Sequence, residues 1–197
     1  DNSVSGMFVL QNYFRENLDS LLKRLLPKYK ISVISGDNDS SKEILENYTH
    51  QKATLKFFQS PEDKLNYIKQ LQLVNDNVMM IGDGLNDAGA LNQSNMGISV
   101  TDNINNFSPA CDGIIEADRL NHLDKFISLA KASKKIIIAS FAISILYNII
   151  GLSIAVQGQL KPLVAAILMP SSSISIILFT WATAEIKSSI LLKKCKG

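Results

Sequence analysis

Apolar and polar positions alternate in two recurring patterns along the first 120 residues of the chain. Short apolar runs between polar turns are typical of buried strands, and apolar residues three or four positions apart are typical of amphipathic helices. The first pattern predicts strands at residues 7–10, 31–34, 55–58, 78–81, 97–100 and 113–115. The second predicts helices between them, the first of which carries Leu18, Leu21, Leu22, Leu25 and Leu26. This alternation predicts an α/β fold with a doubly wound parallel sheet.

The pattern changes after residue 135, where the chain becomes almost uniformly apolar. Between Ile136 and Ala184 the only Asp, Glu, Lys or Arg is Lys161. The stretches 136–156 and 160–181 are each long enough to cross a hydrocarbon core of about 30 Å as a helix. A charge at mid-bilayer costs about 2.5–3.5 kcal/mol, so its near-absence here is informative. The chain is therefore predicted to enter a lipid bilayer as a two-helix transmembrane hairpin.

Charged residues at the ends of the hairpin predict its orientation. Lysines at positions 131, 134 and 135 precede the first span, and lysines at 187, 193, 194 and 196 follow the second. Positive charge is retained on the cytoplasmic side, so both ends are predicted to be cytoplasmic, with an external turn near residues 157–159. From residue 120 the pattern is already helical, which predicts a stalk helix leading into the first span.

Composition excludes some classes of function. The formal net charge is +2 and no basic patch is interleaved with aromatic residues, which predicts no nucleic-acid binding. Cys111 and Cys195 are far apart and form no CxxC pair, which favours free thiols in a reducing compartment. The sequence begins at Asp1 without Met, and we expect it to be a piece of a longer polypeptide.

The densest chemistry follows the predicted strand at 78–81, in the loop Gly82-Asp83-Gly84-Leu85-Asn86-Asp87. Ligands of open α/β sheets bind at the carboxyl ends of strands, and paired carboxylates beside glycines suit Mg²⁺ and phosphate. Asp83 and Asp87 are four residues apart, so both can face one point if a helical turn begins near Asn86. The alternative is a tight turn in which Asp87 only caps the next helix.

Two other predicted loops carry groups that can bind phosphate. Ser35-Gly36-Asp37 offers a hydroxyl and backbone N–H groups at a helix start. Lys64 lies in the first turn of a helix that Ser60 and Asp63 can cap, where a cation matches the helix dipole poorly and an external anion can attract it. Ser40 or Ser41 can cap the preceding helix. Together these loops hold parts for phosphoryl transfer, but no nucleophile of the DKTGT kind occurs.

The order SGD, PxxK, GDGLNDAGAL and a membrane hairpin resembles the C-terminal part of a P-type ATPase, in particular its heavy-metal-transporting branch. The resemblance implies a haloacid-dehalogenase-like fold for the soluble part. It implies that Ser35, Gly36 and Asp37 form the loop facing the aspartyl phosphate, with contacts from the Ser35 hydroxyl and the Gly36 backbone. Lys64 would stabilise phosphate charge. Asp83 would bind Mg²⁺, with Asn86 and Asp87 ordering the site.

This sequence departs from the family at two positions. Ser35 replaces the usual Thr and keeps the hydroxyl, and Gly89 replaces a common Pro at the helix start. The resemblance divides the chain into part of the phosphorylation domain (1–119), a stalk helix (120–135), two transmembrane helices (136–156 and 160–181) and a cytoplasmic basic tail (185–197).

The resemblance also implies what the rest of the polypeptide supplies. The phosphorylated aspartate, the nucleotide domain that binds most of ATP and earlier transmembrane helices would lie upstream, so this chain alone should not turn over ATP. The expected location is a bacterial inner (plasma) membrane, with the phosphorylation domain and the C-terminus in the cytoplasm.

Polar residues inside the two apolar stretches predict a transport site. Tyr147 and Asn148 lie about eleven residues before the turn, and Met169 and Pro170 about eleven after it, which places both pairs level near mid-bilayer. Asn in hydrocarbon usually faces a partner or a pathway, and Pro170 frees a backbone carbonyl. The alternative is helix packing through the small polar residues Ser171, Ser172 and Ser173.

The donor types in this region favour one ion. The thioether of Met169 is a soft ligand that selects Cu(I), and the second span has no Asp, Glu or His. The Tyr147-Asn148 pair, and Met169 with Ser172 and Ser173, also resemble the copper-transporting subgroup. Cu(I) export is the prediction. The alternatives are a Zn²⁺- or Cd²⁺-transporting P-type ATPase and a phosphatase of the haloacid dehalogenase type, soluble or membrane-anchored.

Overall fold

The computed structural model describes residues 14–15, 17–74, 77–102, 111–158 and 161–192. The chain forms two compact units, Asp1–Leu123 and Asp124–Gly197. The strand predicted at residues 7–10 and the last residues of the predicted basic tail lie outside the described residues.

The first unit alternates helices and strands as predicted. Its helices are α1 (Leu18–Leu25), α2 (Lys42–Thr49), α3 (Pro61–Leu73) and α4 (Ala88–Gln93). Its strands are β1 (Ser32–Ile34), β2 (Thr54–Lys56), β3 (Met79–Gly82), β4 (Met96–Thr101) and β5 (Gly113–Glu116). Short 3₁₀ helices span Asp39–Ser41 and Ala117–His122. The β2 strand ends two residues earlier than predicted, because Phe58 adopts a positive φ of 56° that an extended strand cannot contain.

Every strand pairing in the described part of this unit is parallel. β1 pairs with β2, opposing Val33 to Leu55. β3, β4 and β5 form a second ladder in that order, in which Gly82 opposes Ser99. Parallel pairs require crossover connections, and α2 supplies the one between β1 and β2 while α4 supplies the one between β3 and β4. This arrangement confirms the predicted α/β class with parallel pairing.

Helix α3 contacts both strand ladders. Ile68 is buried with Met80, Ala90 and Leu91, which form the core beside β3. On the same helix the hydroxyl of Tyr67 lies 3.0 Å from the hydroxyl of Ser32 in β1. Side chains of α3 thereby join the two ladders, and the N-terminus of this helix carries Lys64.

The sequence predicted side-chain caps for α3 and α2, and the structure shows the predicted cap only for α3. Ser60 and Asp63 form the predicted capping box at the start of α3, with each side chain accepting a hydrogen bond from the other residue's backbone N–H. At the start of α2, Ser41 occupies the N-cap position as predicted, but its side chain makes no capping hydrogen bond. The side chain of Asn38 accepts from the N–H of Ser40 instead, because a 3₁₀ turn precedes α2 and moves the first exposed N–H groups upstream.

Gly97 in β4 lies against the backbone of α4, and this contact gives a testable prediction. A Cβ at residue 97 would lie 2.5 Å from the carbonyl oxygen of Leu91, whereas a Cβ at Gly113 would meet nothing within 4 Å. Gly97→Ala should lower the free energy of unfolding by about 1–3 kcal/mol, because α4 must shift. Gly113→Ala is the matched control and should be neutral or stabilising by at most about 1 kcal/mol. Urea denaturation measures both, and equal losses would contradict the close packing of α4 on β4.

The second unit consists of two long helices, α5 (Leu123–Val156) and α6 (Pro162–Leu192). Both are long and apolar enough to cross a membrane, and in each the most apolar segment of 18 residues has no buried residue. A core helix of a soluble protein would bury that surface. Helix α5 runs without a break from the predicted stalk into the predicted span, and α6 continues through Pro170. Gly158, with φ of 68°, lies in the turn predicted near residues 157–159.

Candidate functional site

An ion pair between Lys64 and Asp87 joins α3 to the loop after β3. The Lys64 Nζ donates to Asp87 Oδ1 at 2.7 Å, and the two side chains are only 13% and 12% exposed. A carboxylate and an ammonium that are nearly removed from water interact strongly, so each restricts the position of the other. The structure therefore brings together two of the residues that the sequence assigned to phosphate chemistry.

The position of Asp87 bears on the alternative that it only caps α4. Asp87 is at the N-cap position, but its side chain makes no capping hydrogen bond. The carboxylate lies instead over the backbone of Gly82, where an added Cβ would lie 2.5 Å from Oδ2. Only glycine leaves this space at the end of β3. The capping alternative is therefore not the arrangement that the chain adopts.

The capping box of α3 orients the first turn that carries Lys64. Asp63 Oδ2 accepts from the backbone N–H of Ser60 at 3.0 Å and from its hydroxyl at 2.6 Å. These hydrogen bonds lower the pKa of Asp63 below its usual value of 3.8, the Ser60 side chain contributing most. Because the charged carboxylate makes the bonds, their stabilising effect is present above that value. It is lost as the pH falls through the lowered pKa.

Asp83 organises the loop that follows β3. Its Oδ1 accepts from the backbone N–H groups of Leu85 at 3.1 Å and Asn86 at 3.3 Å. Gly84, which follows Asp83, has a φ of 82°, a backbone conformation that favours glycine. The Asp83 side chain is exposed, and among the described residues its hydrogen bonds use only Oδ1. The second carboxylate oxygen is therefore available to a ligand.

The donor set of this loop fits Mg²⁺. Among the described residues no group of three or more His, Cys, Asp and Glu side chains could hold a metal ion. Mg²⁺ does not require such a cage, since it usually binds one or two carboxylates together with water and phosphate oxygens. Asp83, the first residue after β3, meets that requirement with its second oxygen, whereas Asp87 has one oxygen engaged by Lys64.

The loop of Ser35, Gly36 and Asp37 follows β1 and is held to the start of α3. The N–H of Gln59 donates to the Ser35 carbonyl at 3.0 Å, and a Cβ at Gly36 would lie 3.3 Å from the Gln59 carbonyl. Gln59 immediately precedes Ser60, the N-cap residue of α3. The loop therefore contacts the residue next to the first turn of α3, which carries Lys64.

Hydroxyl and carboxylate groups also interact within this loop. The Ser35 hydroxyl donates to Asp37 Oδ2 at 3.2 Å and accepts from the Asp37 N–H at 3.1 Å. Ser35 and Asp37 also line a cavity of about 320 Å³ whose apolar side includes Val33, Leu45 and Phe57. The loop is thus pre-arranged by its own bonds, with an open volume beside it.

Ser99 is a site neighbour that the sequence reasoning missed. It opposes Gly82 across the ladder and is buried, and its hydroxyl donates to the carbonyl of Asp83 at 3.4 Å. The available signal was a hydroxyl inside the apolar run Gly97-Ile98-Ser99-Val100. Its bond supports the backbone from which the Asp83 carboxylate projects.

The residues predicted to form the ion site lie on α5 and α6. Tyr147 Oη is 3.0 Å from Ser175 Oγ, which joins the two helices. The Ser172 hydroxyl donates to the carbonyl of Met169 on its own helix. The side chains of Asn148, Met169 and Ser173 are exposed, Met169 by 75%. Among the described residues, no hydrogen bond joins Tyr147 or Asn148 to the predicted α6 donors.

The register of the hairpin differs from the one expected from the sequence. The hydroxyls of Ser140 and Thr180 are 2.9 Å apart. Counting eight residues from each, in opposite directions, places Asn148 level with Ser172. Met169 precedes Ser172 by three residues in α6 and therefore lies about 4.5 Å nearer the turn. The prediction that Tyr147-Asn148 is level with Met169-Pro170 is therefore wrong, because the connection is not symmetric about residue 158.

Comparisons with known proteins agree with this arrangement. A family model described as haloacid dehalogenase-like hydrolase matches residues 3–95. The chain is 29% identical over 90% of its length to a probable copper-importing P-type ATPase of Enterococcus hirae, and covers 25% of that protein. It is 30% identical over 86% of its length to a chloroplastic copper-transporting ATPase of Arabidopsis thaliana, and covers 20% of it.

A further relative and a solved structure extend the comparison. A copper-exporting P-type ATPase of Staphylococcus saprophyticus is 30% identical over 87% of this chain, which covers 22% of that protein. The chain thus spans a quarter or less of these three relatives. A zinc-transporting PIB-type ATPase has the same fold, with a TM-score of 0.74 at 20% identity over 88% of this chain and 28% of that one.

The fold, the two exposed apolar helices and the relatives all indicate the same class of protein. The matches to P-type ATPases extend over the parallel strands and over the helices that can cross a membrane. The chain is therefore a membrane protein that resembles P-type ATPases, copper-transporting ones among them, along most of its length.

Proposed function

We propose that this chain is part of an ATP-driven transporter that exports Cu(I) across a membrane. The observation that carries the proposal is the extent of its similarity to proteins named as copper-transporting, which covers 86–90% of the chain at 29–30% identity. The thioether of Met169 on α6 supports the same ion, because soft sulfur ligands select Cu(I).

Phosphoryl transfer by this unit would depend on positioned charge. Asp83 would hold Mg²⁺ through the carboxylate oxygen that the loop leaves without a hydrogen bond. When bound, Mg²⁺ neutralises charge on phosphate oxygens. Lys64 would stabilise the phosphate from the start of α3, with Asp87 holding its ammonium in place. The Ser35 hydroxyl and the Gly36 N–H would donate to phosphate oxygens from the adjacent loop.

The phosphate acceptor and most of the ATP site would belong to other parts of the polypeptide. No strand in this sequence ends in a DKTGT-like motif, and the relatives are at least four times as long as the matched part. An aspartate in the remaining part would carry the phosphate, so this chain alone would not hydrolyse ATP. The phosphorylation unit and the C-terminus would face the cytoplasm of a bacterial plasma membrane, as the lysines at both ends of the hairpin favour.

The ion is tested by metal stimulation of ATPase activity in the full-length protein. Cu(I) and Ag(I) should stimulate hydrolysis, whereas Zn²⁺ and Cd²⁺ should not. Met169→Leu keeps the apolar volume but removes the sulfur, and should raise the Cu(I) concentration for half-maximal stimulation about tenfold or more. Ile174→Ala, another exposed position of α6, is the control and should leave that concentration unchanged. Full Cu(I) sensitivity of Met169→Leu would contradict a thioether ligand, and stimulation by Zn²⁺ would favour the zinc alternative.

Direction and membrane insertion have separate tests. Inside-out vesicles should accumulate Cu(I) when ATP is added, and accumulation only by right-side-out vesicles would indicate import. A phosphatase that merely shares the fold would not need α5 and α6 in a bilayer. If the protein is released from membranes by carbonate without detergent, the transporter proposal fails.

A further inference from the structure

We propose that Ser175 is a positioning residue that fixes the hydroxyl of Tyr147 at the ion site. This inference rests on the proposed function, since it concerns how one predicted ion-site residue is oriented. Tyr147 Oη and Ser175 Oγ are 3.0 Å apart, and the bond joins residues 28 positions apart on α5 and α6. Ser175 was not among the residues predicted from the sequence.

The hydrogen bonds of the neighbouring hydroxyls distinguish Ser175. The hydroxyls of Ser171 and Ser172 both donate to carbonyls of their own helix, those of Ile167 and Met169. Such a bond satisfies the hydroxyl without involving another element. Among the described residues, the only hydrogen-bond partner of the Ser175 hydroxyl is the hydroxyl of Tyr147 on the other helix. Its hydroxyl is thus committed to the tyrosine rather than to helix α6.

The bond places the phenol oxygen on the face of α6 that carries Ser172, one of the predicted donors. Ser175 and Ser172 are three residues apart and therefore neighbours on one helix face, about 4.5 Å apart along the axis. A tyrosine ring can otherwise rotate its hydroxyl away from α6. In a dry environment an unpaired hydroxyl is costly, so the serine favours the ring orientation that reaches it.

The hairpin contains a matched control for this bond. Ser140 and Thr180 form a second hydroxyl pair at 2.9 Å, joining the same two helices seven residues earlier along α5. Seven residues correspond to about 10 Å along the helix. This pair also joins the two helices through hydroxyls, with Ser140 donating in addition to the carbonyl of Ile136, and it lies about two to three turns from the predicted ion-site residues.

The test is Cu(I)-stimulated ATPase activity of the full-length protein, with KM for Cu(I) and kcat measured separately. Ser175→Ala should raise KM for Cu(I) about three- to tenfold, the range expected for one lost hydrogen bond, with kcat within about twofold. Tyr147→Phe should raise KM at least as much, and the double variant no more than Tyr147→Phe alone. Ser175→Thr retains the hydroxyl and should restore the wild-type value. Thr180→Val should leave KM unchanged.

The outcomes separate this inference from the proposed function. If Tyr147→Phe raises KM but Ser175→Ala does not, the positioning role is overturned while Tyr147 stays at the ion site. Equal effects of Ser175→Ala and Thr180→Val would show helix packing alone and would also overturn it. If Tyr147→Phe leaves KM unchanged, Tyr147 is not part of the ion site and the inference falls with it. Failure of the proposed function is distinct, because wild-type protein would then show no Cu(I) stimulation.

Discussion

Asp83→Asn in the full-length protein should lower the Mg²⁺-dependent phosphoenzyme formed from ATP by a factor of about 10² to 10³ or more. The amide keeps Oδ1, which accepts from the N–H groups of Leu85 and Asn86, so the loop should retain its shape. What is lost is the negative charge that Mg²⁺ requires, and electrostatic groups at a transferred phosphate have effects of this size. Acid-stable labelling with radioactive ATP measures the result.

Asp102→Asn is the control for this experiment. Asp102 follows β4, the strand next to β3, but its carboxylate is exposed and pairs with Arg15 at 3.0 Å. Asp102 follows the carboxyl end of β4, as Asp83 follows that of β3, but it does not belong to the predicted metal site. Phosphoenzyme labelling of Asp102→Asn should therefore stay near the wild-type level. Undiminished labelling of Asp83→Asn would remove Asp83 from the metal site.

Asp87→Ala should destabilise the first unit by about 3 kcal/mol. The change leaves the ammonium of Lys64, only 13% exposed, without its carboxylate, and loss of one partner of a nearly buried pair has effects of this size. Glu116→Ala is a closely matched control. Its carboxylate accepts from Arg119 at the same distance of 2.7 Å, but the side chains are 68% and 41% exposed. Water screens that pair, so the loss should be at most about 1 kcal/mol.

A double replacement separates charge from packing. Lys64→Met with Asp87→Leu removes both charges and should recover most of the stability lost in Asp87→Ala, since no uncompensated charge remains. Urea denaturation gives the free energies, and hydrogen exchange of α3 and α4 should locate the loosening between these helices. A loss in Asp87→Ala no larger than in Glu116→Ala would contradict a strong interaction at Lys64.

Local features of this protein are readable from its sequence. The capping box of Ser60 and Asp63 forms as predicted, because its partners are three residues apart and α3 itself brings them together. The two long helices include the apolar stretches predicted to span a membrane, since hydrophobicity is a property of composition. The loop motifs follow β1 and β3, because the apolar run that forms each strand ends where the polar loop begins.

Features that depend on distant partners were decided by the tertiary structure. The sequence left open whether Asp87 caps α4, and the packing of α3 on α4 gives it Lys64, 23 residues away, as partner. The sequence placed Tyr147 level with Met169 by assuming a symmetric turn, but the packing of α5 on α6 pairs it with Ser175, 28 residues away. A one-dimensional pattern specifies which face of an element is apolar. It does not specify the register between two elements, which side-chain packing and long-range hydrogen bonds determine together.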